Sequence, residues 1–312
     1  MGVPDILGID HLTFYVPEVD PWALWFRRKL NCQSLARSEQ WTILQTGGVV
    51  VVLKVPQDDY LTRHPPGLGD ICFLVRDLTP VRSLAQVWPV GEHSLRMPAI
   101  GDVTHTFRQG RGFSGQSGGF RGIDHVVFNV AAGQLERVRQ WYEDTLGWSV
   151  QAHYTIQGTA SALQSYVMVN PTGTVQIPIN QPASPNSQVQ EFLDHNRGAG
   201  VQHVALISEN IFRDVARLRS RGVSFLKTPT NSSPTHPYGR APQDLGILVD
   251  SHPQDPAQHL LQIFTEPIFG EPTFFWEIIQ RCGERKGFGE GNFQALFVAM
   301  EHEQSQRGSL TR

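Results

Sequence analysis

Apolar residues recur along the chain in short runs, each opened by glycine and each followed by a stretch with helical spacing. Gly8 begins GIDHLTFYV and Gly122 begins GIDHVVFNV, with six of nine positions identical. GVQHVAL from Gly200 keeps the glycine and the histidine at the same offset, whereas GDICFLV from Gly69 has Cys72 where the others have histidine. Each run has the length and apolar content of a strand. The stretches VDPWALWFRRKLNC, DLTPVRSLAQVW, GQLERVRQWYEDTLGW and NIFRDVARLRSRG follow these runs and read as helices. Asp20 suits a cap with Pro21 in the first turn, Thr79 and Pro80 mark a start, and Gly147 and Gly222 mark stops. Strand-rich sequence such as WTILQTGGVVVVLKV and SALQSYVMVNPTGTVQIPIN comes next.

The chain therefore reads as four copies of a strand–helix–strands module, beginning near residues 8, 69, 122 and 200. A single module leaves an apolar sheet face open, so copies are expected to pair and bury it. RQGRGFSGQSGGF, Arg108 to Phe120, is rich in Gly and Ser and reads as a linker. The expected organisation is an N-terminal module pair over 1–110, a linker over 111–120, a C-terminal pair over 121–280, and a closing loop and helix over 281–312.

One strand carries a residue that its pattern does not explain. In FFWEIIQR, Phe275, Glu277 and Ile279 share one face, while Phe274, Trp276 and Ile278 share the other. Both faces are apolar, so Glu277 is expected to be enclosed, and an enclosed carboxylate requires a cation, a hydrogen-bond partner or a proton. His125 and His203 occupy equivalent places on two first strands of the C-terminal half. Two histidines and a carboxylate converging from three strands match the facial triad of non-haem Fe(II). An ion pair between Glu277 and the nearby Arg281 satisfies the same pattern.

Composition narrows the function further. The 312 residues carry a formal net charge of −3, with 40% hydrophobic and 18% charged residues, which provides no basic field for nucleic acid or an anionic membrane. Cys32, Cys72 and Cys282 form no CxxC pair. The N-terminus shows no signal-peptide pattern, and Val49 to Leu53 is far short of a membrane span, so a cytoplasmic location is expected.

LLQIFTEP, PTFFWEIIQR and GFGEGNFQALF, read with HNRGAGVQHVALISENIF and IPINQP, resemble the 4-hydroxyphenylpyruvate dioxygenase family. The likeness is strong over about 120–303 and weaker in the N-terminal half, where the module order and the THTF at Thr104 to Phe107 still fit. It implies an α+β, vicinal-oxygen-chelate fold: four βαβββ modules paired into two open-barrel domains, with a C-terminal helix over the active site. It implies Fe(II) held by His125, His203 and Glu277. The family's catalytic polar positions fall on Gln202, Gln262, Asn180 and Ser165, and its substrate-binding positions on Gln188, Phe264, Phe288, Asn292 and Phe293. The implied reaction converts 4-hydroxyphenylpyruvate, a 2-oxo acid, and O2 to homogentisate and CO2. Homo-oligomers, dimers or tetramers, suit the family.

Hydroxymandelate synthase shares the fold, iron and substrate, but Pro178, Asn180 and Phe288 look like the homogentisate-forming branch. A metal-free binding module of the same fold is the reading from another class. Taken alone, Asn292 suits a helix cap, and Phe293, Leu296, Phe297 and Met300 form one stripe of the following helix. In the N-terminal half, His11 matches His125, and Cys72 with His105 are candidates for a second ligand set. The family's N-terminal half has lost its metal and serves as scaffold.

Overall fold

A computed structural model describes residues 2–116, 118–158, 160–228, 238–252, 254–270, 272–283, 287 and 289–309, except the side chains of Pro256 and Glu290. The first module comprises β1 (Ile6–Tyr15), α1 (Val19–Lys29), β2 (Gln33–Arg37), β3 (Trp41–Thr46) and β4 (Val49–Lys54). A short helix, α2 (Tyr60–Arg63), leads to β5 (Gly67–Val75), α3 (Thr79–Arg82), β6 (Trp88–Gly91), β7 (Ser94–Pro98) and β8 (Thr104–Gln109). The third module is β9 (Ile123–Asn129), α4 (Leu135–Leu146), β10 (Ser149–Gln157), β11 (Ala162–Val169) and β12 (Gln176–Pro182). After α5 (Gln188–Asn196), the fourth is β13 (Gly200–Ile207), α6 (Ile211–Ser220), α7 (Ala241–Leu245), β14 (Leu248–His252), β15 (Asp255–Phe264) and β16 (Phe275–Cys282). The chain closes on α8 (Glu290–Gln306).

The strands form two eight-stranded sheets of matching order, β2-β3-β4-β1-β5-β8-β7-β6 and β10-β11-β12-β9-β13-β16-β15-β14. In each, the first strands of two modules run antiparallel at the centre, and the last strand of each module lies parallel beside its own first strand. The four paired modules expected from the repeat are present, in the vicinal-oxygen-chelate architecture that the resemblance implies.

Alternation decides which face meets which neighbour. Phe274, Trp276 and Ile278 join one large core that spans both halves. The Phe14 ring of β1 lies 4.9 Å from Phe274 and 5.7 Å from Trp276, and Phe26 of α1 lies 6.1 Å from Trp276. Aromatic pairs at these separations add to the area they bury. Glu277 points the other way, into the concave side of the second sheet.

Some local expectations give way to tertiary context. The Thr79–Pro80 start yields only the four-residue α3, although the corresponding α6 runs ten residues. Asp20 lies in the first turn of α1, while Glu18 holds the cap position; there Asp20 complements the helix dipole instead. Gly147 does end α4, in the left-handed region at φ 67°, where an added Cβ would also meet Val3 at 2.5 Å. Part of the Gly/Ser-rich segment is packed rather than free. Phe113 meets the His11 ring edge-on, Gln45 donates to the Ser114 carbonyl, and Phe120 is buried.

Candidate metal centre and active site

The central strand pairing brings the site together. On β9, His125 stands opposite Ala205 and Val127 opposite His203. On β13, Ala205 is paired in turn with Glu277 of β16. The two histidines and the carboxylate thus converge on one concave face, and one donor atom of each lies within 4.8 Å of the others. Nε2 of His125 is 3.2 Å, and Nε2 of His203 3.5 Å, from the same Glu277 oxygen, Oε2. All three side chains are buried.

Two bulges set the outer contacts. The register skips Asp124 on β9 and Gln202 on β13. A skipped residue can turn its side chain beside that of its neighbour. Asp124 Oδ1 accepts from His125 Nδ1 at 2.8 Å, and Gln202 Oε1 lies 3.1 Å from His203 Nδ1. Each imidazole is thereby anchored through Nδ1 and presents Nε2 to the centre, an arrangement typical of metal-ligating histidine. Gln202 also donates to Gln188 Oε1 at 3.0 Å, which places Gln188 at the buried start of α5. Arg281 does not pair with Glu277: its Nε and Nη2 fork onto the two oxygens of Asp124, each at 2.8 Å.

Electrostatics fits a cation site. Burial pushes the Glu277 carboxyl up, but the charge and hydrogen bond of His125, joined by those of His203, outweigh it and hold the carboxyl at about 2. Burial works against protonation of His125, yet Glu277 and Asp124 carry it up to about 9. Burial keeps His203 below its ordinary value. Asp124 is held well below the usual carboxylate range by Arg281 and His125, despite burial. An anionic carboxylate facing two anchored imidazole nitrogens matches the donor set of a metal ion.

Glu277 has one further support. Gln262 Nε2 donates to Glu277 Oε1 at 2.7 Å, and Asn292 Nδ2 donates to Gln262 Oε1 at 2.7 Å. The first turn of α8 is therefore tied to the carboxylate through two amides. Asn292 is not the helix cap: Gly289 takes that position, and Asn292 turns inward from the first turn.

A cavity opens beside the triad, lined by His125, His203, Glu277, Ser165, Asn180, Gln262, Phe264 and Phe293, with Tyr154, Val127, Val167, Pro178 and Leu296. Ser165 and Asn180 face each other across β11 and β12. Ser165 Oγ and Asn180 Oδ1 are buried with no hydrogen-bond partner among the described residues, which suits groups that meet a ligand. The Phe293 ring meets Tyr154 edge-on at 5.8 Å. The α8 stripe divides: Phe293 and Leu296 face the cavity, whereas Phe297 packs with Leu163, Val189 and Phe192. Phe288 lies outside the described residues. Gln202 and Gln188 stand behind His203 rather than on the cavity wall. No pattern in the sequence points to Tyr154, whereas the Asp before His in both GIDH repeats is a visible signal for Asp124.

The N-terminal half presents a different set. His11 stands opposite Cys72, as His125 stands opposite Ala205, and Thr13 opposite Asp70, as Val127 opposite His203. By register the counterpart of His203 is thus Asp70, not Cys72. Cys72 is paired with Thr106 as Ala205 is with Glu277, so Thr106 occupies the third ligand's place. His105 points to the opposite face, where its Nε2 lies 2.9 Å from the Tyr142 hydroxyl. His11, Cys72 and His105 therefore do not form a ligand set. Asp10, His11 and Cys72 do lie close together, but Arg108 forks onto Asp10 at 2.9 and 2.5 Å.

Fold and site together define a vicinal-oxygen-chelate protein with a buried two-histidine, one-carboxylate cluster of the kind that could hold a metal ion. Residues 122–263 match the Glyoxalase/Bleomycin resistance protein/Dioxygenase superfamily. The chain is similar to 4-hydroxyphenylpyruvate dioxygenase of Dictyostelium discoideum, 33% identical over 97% of this chain and 100% of that one. The Danio rerio protein of the same name is 32% identical, over 98% and 92%. An uncharacterized Synechocystis protein is 35% identical over 95% and 97%. A mutant of 4-hydroxymandelate synthase from Streptomyces coelicolor shares the fold, with TM-score 0.84 and 24% identity over 97% of this chain and 100% of that chain. The chain belongs to the 4-hydroxyphenylpyruvate dioxygenase family.

Proposed function

We propose that the protein converts 4-hydroxyphenylpyruvate and O2 to homogentisate and CO2 with Fe(II) held by His125, His203 and Glu277. The observation that carries this reading is the buried triad, with both Nδ1 atoms anchored and both Nε2 atoms turned to one carboxylate. Two imidazoles and a carboxylate leave positions on Fe(II) open, and the bound metal supplies the O2-dependent oxidation. The chain's residues supply position and dryness. Asp124 and Gln202 fix the imidazoles, and Gln262 fixes the carboxylate. The free Ser165 Oγ and Asn180 Oδ1 suit the polar ends of a 2-oxo acid with a ring hydroxyl. Phe264, Phe293, Pro178 and Leu296 hold an aromatic ring and exclude water.

The module pairs at 1–110 and 121–280, with 111–120 as connector and 281–312 as lid, are the corresponding domain division. A cytoplasmic homo-oligomer, dimer or tetramer, fits the same reading; no described helix is long and apolar enough to cross a membrane. The experiment is anaerobic Fe(II) loading, then substrate and O2, with product identification. Homogentisate supports the proposal. Hydroxymandelate would move the chain to the synthase reading, and protein that takes up no iron would favour a metal-free binding module.

A further inference from the structure

Arg281 is one of the most constrained side chains near the metal centre, yet it touches neither the triad's donor atoms nor the cavity wall. Among its contacts with the described residues, three are directed hydrogen bonds of the guanidinium. Nε and Nη2 fork onto Asp124, and Nη1 donates to the Gly287 carbonyl at 2.6 Å. Asp124 in turn accepts from His125 Nδ1. One planar group thus bridges a metal-facing imidazole on β9 and the backbone leading into α8. Gly287 and Gly289 flank that lead-in in the left-handed region, at φ 83° and 66°.

The same device appears in the half without a triad. Arg108 forks onto Asp10 through the same two nitrogens, Asp10 accepts from His11 Nδ1 at 2.8 Å, and Arg108 Nη2 donates to the Arg111 carbonyl at 2.8 Å. The bulge, the fork and the hold on the following segment therefore recur where His11 has no metal partners. What the C-terminal half adds is a histidine that faces two further ligands. A bidentate Arg–carboxylate pair fixes orientation as well as charge, and groups that orient a ligating histidine tune metal affinity.

We infer that Arg281 is a positioning residue that sets the His125 ring through Asp124 and holds the C-terminal helix lead-in through Gly287. This rests on the metal reading above. The test uses the full chain, Co(II) as the metal probe with its visible ligand-field spectrum, and hydrogen exchange across 290–306. Arg281→Gln should weaken Co(II) binding about 10- to 100-fold, alter the spectrum and speed exchange in α8. Arg281→Lys should recover part of the affinity, since it keeps the charge but not the fork. Asp124→Asn should weaken Co(II) similarly while leaving α8 exchange closer to wild type. Arg108→Gln should lower Tm without changing Co(II) affinity, which separates ligand positioning from the structural role both clamps share.

If Arg281→Gln does not fold, the Asp124→Asn/Arg281→Gln double variant removes the unpaired charge and should bind Co(II) no more weakly than Asp124→Asn alone. Binding within about twofold of wild type, with an unchanged spectrum, in every folded variant lacking Arg281 would overturn the inference. Wild-type protein that binds no Co(II) would instead overturn the metal reading itself.

Discussion

The two concave faces share strand order, bulge and clamp, but among the described residues only one brings two histidines and a carboxylate together. Where the C-terminal sheet has His125, His203 and Glu277, the N-terminal sheet has His11, Asp70 and Thr106 at the matching registers. Asp70 is fully buried. Thr104 and Thr106 donate to its Oδ1 at 2.5 and 2.8 Å, and Arg96 lies 3.3 Å away. Arg108 neutralises Asp10. In one half Arg108 pairs with Asp10, and Thr104, Thr106 and Arg96 gather on one oxygen of Asp70, where burial still pushes the carboxyl up; in the other a metal would balance Glu277. The convex faces did not diverge in this way, because Phe14, Phe73, Phe107, Phe128 and Trp276 all pack into one shared core. The fold depends on the apolar face, and the chemistry on three positions of the polar one.

The sharpest break of this comparison is Glu277→Gln against Thr106→Val. The first keeps shape but removes the carboxylate charge. It should abolish turnover and weaken metal binding by more than the roughly 100-fold expected for an outer contact, with circular dichroism unchanged. The second should leave metal content at wild-type level. Next comes Arg108→Ala, which takes the forked partner from the buried Asp10 carboxylate and leaves it the His11 contact. Loss of one partner of a buried pair costs about 3–5 kcal/mol, so denaturant unfolding should show that loss while metal stoichiometry stays the same.

The α8 stripe gives a third test. Phe297→Ala should cost about 3 kcal/mol, because that ring is fully enclosed by Leu163, Val189 and Phe192. Phe293→Ala, on the cavity wall, should cost less stability and lower homogentisate formed per O2 consumed.

A further effect appears only in acid. Burial lowers His105 to about 3, against an ordinary value of about 6.5. The unfolded chain therefore binds the proton more readily. The neutral ring's contribution to stability is complete above about pH 6.5 and is lost as pH falls toward 3. His105→Gln removes this titration, so its Tm relative to wild type should be constant from pH 8 to 7 and rise as pH falls below 6. A constant difference down to pH 4 would show that His105 is not held neutral.

Much of this was legible in the sequence, for stated reasons. The GIDH repeat marks two first strands, and strand alternation correctly put Glu277 on the opposite face from Trp276. What local pattern could not give was register between distant strands. Aligning the glycines of GDICFLV and GVQHVAL makes Cys72 the counterpart of His203, but a bulge that skips Gly69 in one sheet and Gln202 in the other shifts the match to Asp70. Sequence proximity alone suggests His105 for a ligand position; alternation along β8 turns it to the convex face. Nearness in sequence suggests Arg281 as the partner of Glu277, four residues away, yet Arg281 pairs with Asp124, far off in sequence. Asn292 suits a cap by type, but the buried amide of Gln262 draws it inward.

The central claim, one metal site in one half, is tested most directly by iron content after anaerobic Fe(II) reconstitution of wild type, Glu277→Gln and Cys72→Ala. The account predicts about one iron per chain in wild type and in Cys72→Ala, and close to none in Glu277→Gln. About two irons in wild type, falling to one in Cys72→Ala, would contradict it.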